Sequence, residues 1–321
     1  MDFITHGLIS FLLSHNFGLN YVSFAIIMGI FPDFDIILVP LAHRYNNLTL
    51  YHRGGVHSLF ILGLANFFGA LIINSLNPGN FLLYFGLGFL CSSMHLFCDI
   101  LTTFPIRPFW PFYKKGFKLN ISEAVNIFGV FFSAGAGILF FNTYYLSPSP
   151  FFPLYVQIIS ILLISFILAH LIVKWYLHQK FSSIDHLQTL PTAFPFKWKL
   201  IQKKTTTQNL EIRFGFYNIF SRKEFKFHNF SIDTTPTTPP ITSSSQAVQF
   251  SFQLPEVRKH LWRTQIPLYC IESSNASWKI YWFSAEMLFF SRTYAIMIAL
   301  APSGQYSVKS GICLIKNCIS D

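Results

Sequence analysis

Charged residues are scarce in this 321-residue chain, at 11% of the total, whereas hydrophobic residues make up 52%. A water-soluble enzyme of this length needs a polar surface that such a composition does not provide. The shortage excludes an ordinary soluble enzyme. With a mean hydropathy of +0.44, the chain is expected to be an integral membrane protein.

Cysteine is also sparse, and its five residues form no CxxC pair, which indicates no disulfide framework. The first residues carry no basic segment and no small-residue cleavage site. We therefore expect no removed signal peptide and an N-terminus that stays in the mature protein. The sequence has no zinc-finger spacing and no basic helix, so we expect no nucleic-acid partner.

The positive charge is unevenly distributed along the chain. Residues 1–173 carry six Lys and Arg against five acids, while residues 174–321 carry seventeen against eight. An excess of Lys and Arg marks the cytoplasmic side of a membrane protein and attracts anionic lipid headgroups. We therefore expect a boundary near residue 174 between an apolar membrane part and a basic tail.

Four apolar runs are long enough for a membrane-spanning helix, which needs about 20 residues. They are 59–76, 81–101, 124–146 and 153–173. Uncharged turns connect the first pair and the last pair, while the loop 102–123 between the pairs carries four Lys and Arg residues. The positive-inside rule then predicts that this loop and both termini are cytoplasmic.

Two shorter apolar runs, 3–13 and 19–31, precede the first of these spans. Each is shorter than the roughly 20 residues that cross a bilayer, so we expect a re-entrant or interfacial helical hairpin. Such a hairpin would bring Asp33 and Asp35 back to the membrane face at which His6 lies.

The chain beyond the spans changes in composition. Residues 181–245 are basic and rich in Thr, Pro and Ser, which predicts a linker region with some β structure. Residues 248–252 and 278–283 are β-like and partly alternating. The predicted fold is an all-α helical membrane domain over 1–180, with about four transmembrane helices plus the N-terminal hairpin, followed by the linker and a small β-rich cytoplasmic domain over 246–321.

Most of the ionisable residues of the first 101 positions gather at one predicted membrane face; His15 and His43 are assigned to turn or interface structure. His95 and Asp99 are four residues apart, so they share one helix face, and His57 directly precedes the first span. Such groups near hydrocarbon usually face a protein interior, pair with one another or hold an ion. Three carboxylates with three or four imidazoles suit a divalent metal, Zn²⁺ first and Mn²⁺ or Fe²⁺ next.

Each part of this pattern also has a purely structural interpretation. Asp33 and Asp35 could cap or end a hairpin, and His95 with Asp99 could be an intrahelical hydrogen-bonded pair. His52 and Arg53 could anchor the chain at the interface. The convergence of all of them favours the metal site.

Four motifs in order resemble the signature of the membrane-bound metal-dependent hydrolase family, described also as LexA-regulated, inner-membrane-associated predicted hydrolases. The motifs are Thr5-His6, Pro32-Asp33-Phe34-Asp35, His52-Arg53-Gly54-Gly55-Val56-His57-Ser58 and His95-Leu96-Phe97-Cys98-Asp99, within residues 1–125. The resemblance implies about four spans with the motifs on one face. The ligands or catalytic groups that it implies are His6, Asp33, Asp35, His52, His57, His95 and Asp99.

These features predict a metal-dependent hydrolase that acts on a lipid or lipid-linked ester, including a phosphoester, at the cytoplasmic face of the cell inner membrane. Arg53 is predicted to stabilise anionic charge on the substrate, and His6 and His52 to act as ligands or as the general base. The predicted direct ligands are Asp33, Asp35, His57, His95 and Asp99.

A non-enzymatic membrane scaffold, or a metal or ion transporter, is the alternative. A scaffold would use the basic tail to recruit a cytoplasmic partner. A transporter needs polar residues at mid-membrane depth. Among His and charged residues, the range 124–173 contains only His170, which makes a transport pathway the weaker interpretation.

Overall fold

The computed structural model describes residues 2–38, 41, 52–123, 126–192, 194–206, 208–221, 227–261, 266–274, 277–285, 288 and 292–314. It divides into two compact units, Met1–Lys174 and Trp175–Asp321.

The first unit is built from helices. They are α1 (Phe3–Ser14), α2 (Leu19–Ile30) with a following 3₁₀ helix (Phe31–Leu38), α3 (Leu59–Leu76), α4 (Phe81–Ile100), α5 (Ile127–Phe140) with a following π-helix (Phe141–Leu146), and α6 (Phe152–Lys180), which continues into the second unit.

Five helical stretches in the described part of the chain are long and apolar enough to cross a membrane: Leu19–Leu38, Leu59–Leu76, Phe81–Ile100, Ile127–Leu146 and Phe152–Lys180. The last four correspond to the four predicted spans, which are confirmed as helices. The first corrects our expectation that the run 19–31 is too short. Pro32 lies in the first turn of the 3₁₀ helix, where its missing N–H is tolerated, so the helical path continues to Leu38.

Polar side chains fix where the helices begin. The Asp2 carboxylate accepts a hydrogen bond from the Thr5 amide at 2.9 Å, and Ser58 Oγ accepts one from the Ile61 amide at 3.2 Å. A side-chain cap satisfies one of the amides that the first turn of a helix leaves without a partner. The caps hold the starts of α1 and α3, and with them His6 and His57, in place.

Helix α2 lies between α1 and α4 and approaches both closely. A Cβ built on Gly29 would lie 1.8 Å from Ser10 Oγ and 3.5 Å from Cys91 Cβ, so only glycine fits where the three helices meet. Farther along, Phe24 and Met28 pack against Tyr84 of α4. This packing brings the end of α2 against the end of α4.

In the part that the structure describes, the second unit has two four-stranded antiparallel sheets, each with its strands in sequence order, and two short helices. One hydrophobic core includes residues from both sheets and both helices. The elements are β1 (Leu187–Pro191), β2 (Lys197–Thr205), β3 (Asn209–Asn218), β4 (His228–Asp233), α7 (Ser244–Gln253), α8 (Pro255–Leu261), β5 (Pro267–Ser274), β6 (Ser277–Ser284), β7 (Arg292–Leu300) and β8 (Tyr306–Leu314).

The tail is more ordered than its composition indicates. The range 181–245, described above as a linker region with some β structure, contains the whole sheet β1–β4. The predicted β segment 278–283 lies in β6 and is confirmed. The predicted β segment 248–252 is wrong, because it lies in α7.

One cysteine also differs from the expectation drawn from spacing. The five cysteines indicate no disulfide framework, yet Cys270 in β5 is disulfide-bonded. Cys91 and Cys98 of α4 are free and buried.

Candidate metal centre

Four side chains from three segments meet at the converging helix ends. Asp33 comes from the 3₁₀ helix, His57 from the residue before the cap of α3, and His95 and Asp99 from α4. One ligand atom of each lies within 4.8 Å of those of the other three. Antiparallel helices explain the convergence, because α2 and α4 end where α1 and α3 begin.

The distances within this cluster are slightly longer than those between ligands around one ion. His57 Nε2 lies 3.8 Å from Asp33 Oδ1 and 3.4 Å from Asp99 Oδ2. His95 Nε2 lies 3.6 Å from Asp33 Oδ1 and 3.7 Å from Asp99 Oδ2. Tetrahedral ligands with bonds of about 2.0 Å stand about 3.3 Å apart. A small inward movement would bring all four atoms into coordination distance.

The hydrogen bonds behind the cluster set the orientation of both imidazoles. His57 Nδ1 lies 3.0 Å from Asp35 Oδ2, and His95 Nδ1 lies 2.8 Å from the Gly29 carbonyl oxygen. A carboxylate and a carbonyl can only accept, so Nδ1 carries the hydrogen in both rings. In the neutral rings, the lone pair of each Nε2 therefore faces the cluster.

The two Nε2 atoms are buried and have no hydrogen-bond partner among the residues that the structure describes. Buried polar atoms are nearly always satisfied by protein, water or an ion. Metal-bound histidines typically donate their other ring N–H to a carboxylate or a carbonyl. His57 and His95 therefore have the arrangement of metal ligands, and the residues present fit a divalent cation.

Asp35 lies behind the cluster. It is buried and lies 2.6 Å from His52 Nδ1 and 3.0 Å from His57 Nδ1, and it accepts a hydrogen bond from the Arg53 amide at 2.9 Å. Asp35, His52 and His57 also form a group that could hold an ion. Both oxygens of this carboxylate accept these hydrogen bonds, so Asp35 lies behind the histidines, where it can orient them.

Arg53 faces Asp99. Its side chain is buried, with Nη2 2.8 Å from Asp99 Oδ1 and Nη1 2.9 Å from Thr102 Oγ1. The backbone has a φ of 64°, a left-handed conformation that is uncommon outside glycine. The sequence predicts that Arg53 contacts the substrate. In the structure its guanidinium instead contacts Asp99, a candidate metal ligand.

His6 lies beside the cluster. Its ring stacks on His95 with centroids 3.6 Å apart, and its Nε2 lies 3.5 Å from Asp99 Oδ1. Neither ring nitrogen has a hydrogen-bond partner in the described part of the chain. His52 is different, because 31% of its side chain is exposed. The structure thus brings together all the predicted site residues, with His52 on the open side.

The electrostatics of the site favour positive charge. Burial alone lowers the pKa of His57, but the neighbouring carboxylates of Asp33, Asp35 and Asp99 outweigh it and raise the pKa to about 10. Without a cation His57 therefore holds a second proton, which a bound metal ion would displace from Nε2. With neutral imidazoles, the three carboxylates and the Arg53 guanidinium leave two net negative charges. A divalent cation would balance that charge.

Two supporting groups carry no signal in the sequence. The Gly29 carbonyl orients His95, and Thr102 Oγ1 accepts from Arg53 and donates to the Asp99 carbonyl at 2.8 Å. A backbone carbonyl has no side chain to mark it. Thr102, three residues after Asp99, could have been suspected only from its spacing.

The fold and the site together define a helical membrane protein with a buried His/Asp cluster at its helix ends that could hold a metal ion. The chain belongs to the YdjM inner membrane protein family, whose model matches residues 1–181. That range includes every residue of the cluster. Comparison with curated proteins and with solved structures finds no match to this chain.

Proposed function

We propose that this protein is a membrane-embedded, metal-dependent hydrolase of a lipid or lipid-linked ester, including phosphoesters. The observation that carries the proposal is the pair of buried Nε2 atoms on His57 and His95, aimed at Asp33 and Asp99. These four residues would hold the metal. The mixed His and Asp ligands fit Zn²⁺ first and Mn²⁺ or Fe²⁺ next.

A metal bound there would act as a Lewis acid and supply a nucleophile from water at neutral pH. The protein must also accept a proton. His52 would act as the general base. Its Nδ1 is hydrogen-bonded to Asp35, so its Nε2 can accept a proton from water. His6 is the second choice, since it is stacked on His95 and buried. Arg53 would position Asp99.

The surroundings of the site support a lipid substrate. Asp33, at 14%, and His52, at 31%, are the more exposed side chains of the cluster and its support. Beside them, Phe34, Ile36 and Ile37 are 53%, 62% and 72% exposed. Exposed apolar side chains next to the site suit contact with the acyl or isoprenoid chains of a substrate.

Replacing His52 tests the proposed reaction. In vesicles that contain carboxylic and phosphoric ester lipids, the metal-loaded protein should release product, and His52→Ala should lower the rate by about 10²- to 10⁴-fold. The variant should keep its metal, since His52 Nε2 is not among the four ligand atoms. Product release is followed by mass spectrometry.

The matched control is His178→Ala, which changes an exposed histidine near the end of α6 and should leave the rate unchanged. Failure of the metal-loaded wild type to hydrolyse any of these esters would contradict the proposal. That outcome would favour a metal-binding scaffold or a transporter.

We also propose that the site faces the cytoplasm, with both termini and the loop 102–123 on the same side. The disulfide at Cys270 argues for the opposite side, because disulfides persist in oxidising compartments. Single cysteines placed at Pro78 and Lys115 can be labelled with an impermeant maleimide, in a background where Cys270, Cys313 and Cys318 are serine. Position 78 should label in intact cells and position 115 only after permeabilisation. The reverse pattern would overturn the orientation.

A further inference from the structure

The segment after α4 forms a hairpin that is tied to the same helix ends as the candidate metal centre. Ile106 and Phe117 form an antiparallel bridge with N–O distances of 3.0 and 2.8 Å. The Leu59 amide donates to the Pro108 carbonyl at 2.9 Å, and the Ile121 amide to the Leu101 carbonyl at 2.7 Å. These bonds attach the hairpin to the start of α3 and the end of α4.

The tip of this hairpin combines exposed aromatic rings with exposed lysines. Phe109, Phe112 and Tyr113 are 50%, 80% and 47% exposed, and Lys114 and Lys115 follow directly and are exposed as well. The sequence contains no acid between Asp99 and Glu123. The tip therefore presents positive charge beside apolar rings.

That combination matches the membrane–water interface. Aromatic rings are enriched at the headgroup level, and basic residues beside membrane helices attract anionic lipids. Helices α3 and α4, to which the hairpin is bonded, are long and apolar enough to cross the membrane. We therefore expect the tip to contact the bilayer that surrounds these helices.

We propose that the hairpin tip, residues 109–115, binds the anionic headgroups of the surrounding phospholipids. Lys114 and Lys115 contact the phosphates, and Phe109 and Phe112 enter the upper acyl region. This holds the start of α3 and the end of α4 at headgroup depth. The inference needs only a membrane-embedded chain and does not depend on the hydrolase activity.

Titration of the full-length protein in detergent with dioctanoyl phosphatidylglycerol, and with dioctanoyl phosphatidylcholine, tests the proposal. The variant Lys114→Gln/Lys115→Gln should bind phosphatidylglycerol about 25-fold more weakly, because each lysine near the surface contributes about 5-fold. Its affinity for phosphatidylcholine should be unchanged. Lys114→Arg/Lys115→Arg should keep the wild-type affinity, and Phe112→Ser should weaken binding of both lipids.

The matched control removes the same charge elsewhere, by Lys204→Gln/Lys309→Gln on exposed positions of β2 and β8. This pair should bind phosphatidylglycerol as the wild type does. Equal weakening by the two pairs, or no effect of Lys114→Gln/Lys115→Gln, would overturn the proposal. The metal content of each variant is measured in parallel and should stay at the wild-type level, so a failure here is distinguishable from a failure of the metal site.

Discussion

Asp99→Asn is expected to lower the affinity of the protein for its metal by more than about 100-fold. Replacing a residue that only supports a metal ligand typically lowers the affinity by about 10- to 100-fold. Asn keeps the shape of the side chain and removes its charge. The remaining Oδ1 can still accept a hydrogen bond from Arg53 Nη2, which lies 2.8 Å from it in the wild type. The amide nitrogen then replaces Oδ2, which lies 3.4 Å from His57 Nε2, and it cannot bind a cation.

Elemental analysis after equilibration with buffered Zn²⁺ measures this loss. Asp185→Asn, the same chemical change at an exposed turn of the second unit, is the control and should bind metal as the wild type does. A structural pair between Asp99 and His95 predicts a small change instead, because Asn can still hydrogen-bond the imidazole. An Asp99→Asn protein with wild-type affinity would remove Asp99 from the ligands.

The same assay separates direct ligands from supports. Asp33→Asn, His57→Ala and His95→Ala should lower the affinity as far as Asp99→Asn does, since each removes one of the four ligand atoms. Asp35→Asn should lower it by about 10- to 100-fold, because Asp35 acts through His57. If Asp35→Asn lowers the metal affinity as much as Asp33→Asn does, Asp35 is a direct ligand.

Arg53→Ala is expected to weaken metal binding by about 10- to 100-fold, as the loss of a supporting partner does. The variant leaves the buried Asp99 carboxylate without its guanidinium contact, and breaking a buried ion pair costs about 3–5 kcal/mol. An unrestrained Asp99 would turn away from the two histidines. A substrate-binding Arg53, as predicted from the sequence, would instead leave the metal in place and raise KM for an anionic lipid.

Two further variants sharpen the test of Arg53. Arg53→Gly removes the guanidinium but suits the left-handed backbone at φ 64°, so it should also lose metal while its amide still donates to Asp35. Arg213→Ala, at an exposed position of β3, should have no effect. Full metal affinity in Arg53→Gly would show that the guanidinium does not position Asp99.

The apolar runs made the helices of the first unit predictable, because a span of about 20 apolar residues has few other solutions. His95 and Asp99 were predictable as neighbours from their four-residue spacing. The continuation of α2 to Leu38 was not, since it depends on how the 3₁₀ helix accommodates Pro32. The direction of the Arg53 side chain was also hidden, because it follows from a left-handed turn and a contact with Thr102, 49 residues away.

The tail shows where local pattern fails. The segment 248–252 alternates between apolar and polar residues as a strand does, but it lies in α7. A cap and several buried contacts stabilise this helix. Ser243 caps it by accepting from the Gln246 amide at 3.2 Å. Ala247, Val248 and Ser251 are buried at helical spacing, and Ser251 Oγ accepts from the Trp282 indole at 3.0 Å. Such a contact with a strand 31 residues away cannot be inferred from the segment itself.

The metal content of the wild-type protein tests the central claim most directly. Full-length protein purified from membranes without chelator, and measured by inductively coupled plasma mass spectrometry, should contain a stoichiometric divalent metal, with Zn²⁺ expected first. Chelator should remove the metal, and added Zn²⁺ should restore it. Protein that contains no divalent metal, and takes none up from buffered Zn²⁺, Mn²⁺ or Fe²⁺, would contradict the account.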